Sequence, residues 1–192
     1  MVALRRVLLV SGSLRARSTN TAVLRTAQVV APEDVRVVIY EGLGHLPHFN
    51  PDEDSNPLPP PVTELREAVH SADAIVFSVP EYAGALPGSF KNLLDWTIGD
   101  DQPRSIAGKP TAWINASARG AVLAHDSLRK VLGYAKATII ESACAQVPVT
   151  GTMIGADGLI EDPAIREQVR AVVTILARYR DRGESADATG IS

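Results

Sequence analysis

The segment Ser11-Gly12-Ser13-Leu14-Arg15-Ala16-Arg17-Ser18-Thr19-Asn20 gathers hydroxyls, an amide and two arginines in one short stretch. It follows an apolar run, Arg6 to Val10, and precedes Val23, Ala27 and Val30 at i, i+4, i+7, so it joins a strand to a helix. The unpaired N–H groups and positive dipole end of such a helix favour an anion. Hydroxyls donate to phosphate oxygens and arginine grips them in a charge-assisted fork, at about 1.5–3 kcal/mol per contact. The density of donors reads as a phosphate site. The plain alternative is a helix capped by Ser18 or Asn20, with Arg15 and Arg17 solvated. The loop lacks Gly-Lys-Ser/Thr, so it is not a Walker A motif. It also lacks Gly-x-Gly-x-x-Gly, which disfavours a dinucleotide lying on the first strand.

Two further loops carry chemistry. Pro80-Glu81-Tyr82-Ala83-Gly84-Ala85-Leu86-Pro87-Gly88 follows the run Ala74 to Val79. Pro80 must end that strand, Gly84 permits close approach of backbone to a ligand, and Tyr82 offers a flat face to an aromatic ring. Asn115-Ala116-Ser117-Ala118-Arg119-Gly120 follows the run Thr111 to Ala116.

The elements that must position these loops alternate. Strand-length runs at Arg6–Val10, Val35–Tyr40, Ala74–Val79 and Thr111–Ala116, with a weaker one at Ala137–Ile140, are separated by helix-period stretches. The last helix opens on Asp162-Pro163, a cap residue followed by proline at the first helical position. Such an order predicts an α/β fold with a parallel sheet, helices on both faces. Were such a sheet to take the order 2-1-3-4-5, strands one and three would be neighbours where the winding direction reverses, and the phosphate loop and the Tyr82 loop would meet in one crevice. Strand four lies beside strand three, and its loop closes the far side. Glu41–Pro61 and Glu141–Glu161 read as long loops, and Gly183–Ser192 as a frayed, flexible tail behind a single domain over 1–182.

Composition narrows the class. In 192 residues, 19 basic and 22 acidic side chains leave a formal net charge of −3, which lacks the basic excess of a nucleic-acid protein. One cysteine, Cys144, excludes a disulfide framework and an all-cysteine metal site and fits a reducing compartment. No apolar run reaches the ~18 residues that span a bilayer. Val7–Val10 is too short for a signal-peptide core, so a cytoplasmic location is expected and no membrane contact.

Other candidates read as structural. Cys144 sits among small residues as a packed thiol, and His45 and His48 lack a third metal ligand, so no metal is expected. Asp52, Glu53 and Asp54 read as a solvated loop, and Trp96 and Trp113 as core or interface residues. No Gly-x-Ser-x-Gly elbow or His-Glu-x-x-His is present.

Three pieces of this chain resemble the NADPH-dependent FMN reductase family, which includes flavin, quinone, azo-dye and chromate reductases. They are Ser11-Gly12-Ser13-Leu14-Arg15 with Ser18 and Asn20; Leu46-Pro47, Phe49-Asn50 and Asp52; and Ala72-Asp73-Ala74 running to Pro80-Glu81-Tyr82, Pro87-Gly88, Lys91-Asn92 and Asp95-Trp96. The resemblance implies a flavodoxin-like three-layer sandwich and a non-covalent FMN. Ser11, Ser13, Arg15, Ser18, Asn20 and Thr21 would hold its ribityl phosphate. Pro80, Glu81, Tyr82, Ala83 and Gly84 would border the isoalloxazine, and Ser117 and Gly120 would complete the site. It implies NADPH or NADH as co-substrate and a homodimer or homotetramer. The loop around Phe49 is a natural partner-contacting element.

Two departures stand out. The family often has Asn where this chain has Ala83. Its loop after strand four is commonly Gly-rich, whereas here Ala118-Arg119-Gly120-Ala121 would either narrow the nicotinamide approach or let Arg119 meet a phosphate of NADPH. The expected reaction passes hydride from NAD(P)H to FMN, then electrons to a flavin, quinone or similar small acceptor in ping-pong fashion. The cofactor carries the redox chemistry, so no dedicated catalytic side chain is expected. The alternatives are an FMN electron carrier without NADPH activity and a flavin-free phosphate-ligand enzyme on the same fold.

Overall fold

A computed structural model describes residues 5–179. The expected flexible tail at 183–192 and the domain limit at 182 lie outside the described residues. The chain runs β1 (Arg5–Ser11), α1 (Thr19–Val30), β2 (Val35–Tyr40), α2 (Pro60–Ser71), β3 (Ala74–Ser78), α3 (Gly88–Ile98), β4 (Pro110–Asn115), α4 (Val122–Tyr134), β5 (Thr138–Ile139), β6 (Ala145–Gln146) and α5 (Pro163–Arg178). The sheet is parallel in the order β2-β1-β3-β4-β5, as expected, with β6 also paired to β4.

Side chains alternate across the pleat, yet both faces are buried, so the strands read as continuous apolar runs. Leu8, Val10, Ile75 and Phe77 pack with α2, α3 and α4. Val7, Leu9, Val76 and Ile114 pack with α1 and α5 on the other face. Asp162 caps α5, accepting from the N–H groups of Ala164 and Ile165. Ser11 pairs with Ser78 in the β1–β3 ladder, so these two strands end at one level and release their loops together.

The fifth strand position is filled in two pieces, a correction to the single run Ala137–Ile140. β5 pairs with Pro110–Thr111 and β6 with Ile114–Asn115. Between them the chain lifts into a 3-10 turn, Glu141–Ala143. Arg129 of α4 forks onto the Glu141 carboxylate there, while Ala143 is buried beneath. Pieces two residues long carry no readable periodicity, so β6 was hidden within the expected loop 141–161.

The expected loop after β2 is more ordered than its proline content suggests. It holds 3-10 turns at Gly42–His45 and Pro51–Glu53, and α2 starts on Pro60 itself, since proline suits a first helical turn. Asn92 of α3 accepts from Phe49 N–H at 2.7 Å and donates to the Pro47 carbonyl at 2.8 Å. Trp96 donates its indole N–H to the same carbonyl at 2.9 Å. Within this loop Phe49 packs edge-on to Trp96, with ring centroids 4.9 Å apart. Asp54 is not solvated either: it pairs with Arg66 at 2.7 Å, both side chains nearly covered. Among the described residues no helix is long and apolar enough to cross a membrane.

Candidate functional site

The loops after β1, β3 and β4 converge on a cleft of about 510 Å³ at the C-terminal edge of the sheet. This lies within the roughly 300–1,000 Å³ usual for small-molecule sites. Of the residues expected from the sequence, Ser13, Arg15, Ser18, Asn20, Pro80, Glu81, Tyr82 and Ser117 line it. Ser11, Thr21, Ala83, Gly84 and Gly120 stand outside that wall. Arg17, Thr19, Ala116, Ala118, Arg119, Ala121, Val149 and Gly151 complete it.

The phosphate loop is organised by its own hydroxyls. Ser11 and Thr21 share a hydrogen bond at 2.9 Å, the Ser11 hydroxyl accepts from Ser13 N–H, and the Ser13 hydroxyl accepts from Arg15 N–H. Ser11 and Thr21 therefore shape the loop. Ser18 caps α1 by accepting from Thr21 N–H. This leaves the first-turn N–H groups of Thr19 and Asn20 without intrahelical partners, and both residues line the cleft. Asn20 is buried; its side chain meets the Ser78 hydroxyl at 2.9 Å, and that hydroxyl also reaches the Ile114 carbonyl at 2.7 Å. One residue thereby ties α1 to β3 and β4 beneath the cleft.

The Tyr82 loop is a two-residue hairpin. Tyr82 and Ala85 exchange backbone hydrogen bonds at 3.1 and 3.0 Å, with Ala83 at φ 51° and Gly84 at φ 72°. Consecutive left-handed residues define a type I′ turn, for which Asn-Gly is the preferred pair. The departure at Ala83 is thus first a matter of backbone strain. Ala83→Asn should stabilise the fold by about 0.5–1 kcal/mol, because Asn tolerates the left-handed region that alanine resists; urea unfolding of both proteins checks this. The hairpin consumes the N–H groups of Tyr82 and Ala85. Tyr82 remains 45% exposed at the cleft. The Glu81 carboxylate turns away from the hairpin to accept from Ala124 N–H at 3.1 Å, capping the first turn of α4.

Asn115 heads the third loop in sequence, but no motif gives its role. Buried at the end of β4, it accepts from Ser117 N–H and donates to the Gly120 carbonyl, clamping the third loop at both ends. Gly120 takes φ 93°, a value that glycine accepts without strain. Beyond the loop, His125 donates from Nδ1 to the Ala121 carbonyl, and burial holds its imidazole below the usual histidine range, hence neutral. Cys144 stays out of the chemistry: burial pushes its thiol up to about 11. His45 and His48 are exposed, and no group of metal-binding side chains occurs among the described residues.

The donor set suits a phosphorylated, partly aromatic ligand. Arg15, Arg17, Arg119 and the α1 N-terminus supply positive potential, while Pro80, Ala116 and Val149 give an apolar wall. The profile of a family described as NADPH-dependent FMN reductase matches residues 5–150. The chain belongs to this family. FMN is therefore the cofactor and NAD(P)H the co-substrate of its kind, and both suit this cleft. An NAD(P)H-dependent FMN reductase of Pseudomonas aeruginosa is 32% identical over 182 residues, spanning 91% of this chain and 97% of that protein. A quinone reductase of Pseudomonas putida is 32% identical over 158 residues, 81% of each chain. Among solved structures, the flavoenzyme NAD(P)H:(acceptor) oxidoreductase FerB of Paracoccus denitrificans superposes with a TM-score of 0.77 at 26% identity, covering 90% of this chain and 95% of that one.

Proposed function

We propose that this NADPH-dependent FMN reductase family member oxidises NAD(P)H through an FMN held in the cleft and delivers the electrons to a quinone or similar small acceptor. One observation carries the reading: the phosphate loop, the Tyr82 hairpin and the Ser117 loop meet in a single cleft of suitable size and charge. The quinone reductase among its relatives supports the acceptor class. FMN supplies the two-electron redox chemistry when bound. The protein's own residues hold and orient. Ser13, Ser18, Arg15 and the first-turn N–H groups of α1 bind the phosphate. Asn20 and Ser78 keep that loop in register with β3. Tyr82 and Pro80 would border the ring system, and Asn115 fixes the Ser117 loop that would close the site. Co-substrate and acceptor would enter this one cleft in turn, so ping-pong kinetics are expected. A homo-oligomer, expected from the resemblance, belongs to the same proposal.

The test is an anaerobic visible spectrum of protein reconstituted with FMN, before and after NADPH. Loss of the flavin band near about 450 nm, its return on adding a quinone, and parallel double-reciprocal plots are the expected results. Bound FMN that stays oxidised would replace this reading with an electron carrier. Protein that takes up no FMN would overturn the site.

A further inference from the structure

A second cavity, of about 670 Å³, adjoins the cleft and shares Arg17, Ser18 and Gly151 with it. Its outer wall is the segment from Gly151 to Gly158, and its floor is the first two turns of α1, including Arg25. The wall is built firmly. Ile154 and Ile160 bridge, Gly155 N–H donates to the Leu159 carbonyl at 2.8 Å, and Ile160 N–H donates to Thr26 of α1 at 3.0 Å. Arg166 of α5 holds the Ile160 carbonyl from behind. Small residues keep the interior open. A Cβ added at Gly158 would touch Arg25 Nη1 at 3.5 Å, so the guanidinium lies across that glycine.

Arg17 and Arg25 are both exposed and form no ion pair among the described residues. Asp157 shares the wall, but its carboxylate accepts from Leu159 N–H within its own loop and pairs with neither arginine. The cavity thus presents two uncommitted guanidinium groups, the fork that suits phosphate. It opens directly onto the cleft where the nicotinamide of the co-substrate must react. Arg17 stands in both walls, and a cation placed there offsets the repulsion between two phosphate groups bound side by side.

We infer that this cavity receives the 2′-phosphorylated adenosine end of NADPH, with Arg25 binding the 2′-phosphate and Arg17 standing between it and the FMN phosphate. The inference rests on the proposed function and deepens it by assigning the choice between NADPH and NADH. It also places that choice on α1 rather than on Arg119 of the third loop.

The experiment pairs calorimetry with steady-state kinetics. Adenosine 2′,5′-bisphosphate is titrated into the FMN-loaded protein and into Arg25→Ala, with 5′-AMP as the reference; unchanged thermal melts show that the variant is folded. The wild type should bind the bisphosphate about tenfold or more tightly than 5′-AMP, and Arg25→Ala should lose that margin, as expected for one charge-assisted phosphate contact. In kinetics, the NADPH-to-NADH ratio of kcat/KM should fall by a similar factor through KM, with partial recovery in Arg25→Lys. An unchanged ratio, equal binding of the two adenosine nucleotides by the wild type, or a loss that follows Arg119→Ala instead overturns the inference. Flavin that bleaches with neither nucleotide would overturn the reductase reading, and the calorimetry would still decide whether the cavity selects the 2′-phosphate.

Discussion

Arg15→Ala should weaken FMN binding by about one to two orders of magnitude, the cost of one charge-assisted phosphate contact. Arg15 lines the cleft, and its backbone N–H is already committed to the Ser13 hydroxyl, so the side chain is what the substitution removes. The residue is exposed and forms no ion pair among the described residues, so stability without flavin should change little. Fluorescence titration of apoprotein with FMN at two salt concentrations measures the effect. The parent affinity should fall with salt more steeply than that of the variant, because one screened charge contact has gone. Equal affinities would remove Arg15 from the site. Riboflavin, which lacks the phosphate, is the control ligand, and the variant should bind it as the parent does.

The second large effect is expected at Gly12. A Cβ there would sit 2.6 Å from Val79 Cγ1 and 3.2 Å from Phe90 Cγ. Val79 and Phe90 are fully buried, so neither can swing aside into solvent. The Gly12 N–H also donates to the Ser78 carbonyl at 2.8 Å, which holds this point of the chain against β3. Gly12→Ala should therefore cost about 1–3 kcal/mol of stability, the usual range for overpacking a core. If the clash is relieved by outward movement of residues 12–18, FMN affinity should drop as well, by about tenfold for one lost hydroxyl or N–H contact. Thermal melts of the apoprotein and FMN titration read the two effects separately. Val79→Ala in the same chain makes room for the new methyl and should restore much of the affinity. If it does not, packing against Val79 is not what places the loop.

Both predictions concern a segment whose character is legible in the sequence. Its hydroxyls, arginines and following helix are neighbours along the chain, and helix capping acts over a few residues. The same holds for the strands, for the Asp162 cap of α5 and for the glycine turn after Tyr82. Runs of Val, Leu and Ile buried on both sides leave an unambiguous trace, and the crossover helices then force the strands to be parallel. These local signals give parallel strands and their crossover helices; the order 2-1-3-4-5, and with it the crevice between β1 and β3, is what the family resemblance implies.

Tertiary structure decided the rest. Glu81 lines the cleft and its carboxylate also caps α4, because that helix brings the Ala124 N–H within 3.1 Å. Asn115 opens the third loop in sequence, but its role as a clamp appears only when the chain folds back and gives its amide both ends of that loop. Val149 and Gly151 join the cleft only because β6 pairs with β4 and carries the following segment across the sheet edge. Asp54 leaves the solvent for Arg66, and Phe49 turns in on Trp96, through contacts no periodicity encodes. The short-range preferences of this sequence determine which elements exist and which loop gathers the hydroxyls and arginines. The walls of the site come from residues far apart in the chain, such as Asn20 and Ser78, whose hydrogen bond forms only after the hydrophobic faces have stacked the layers and brought them within reach.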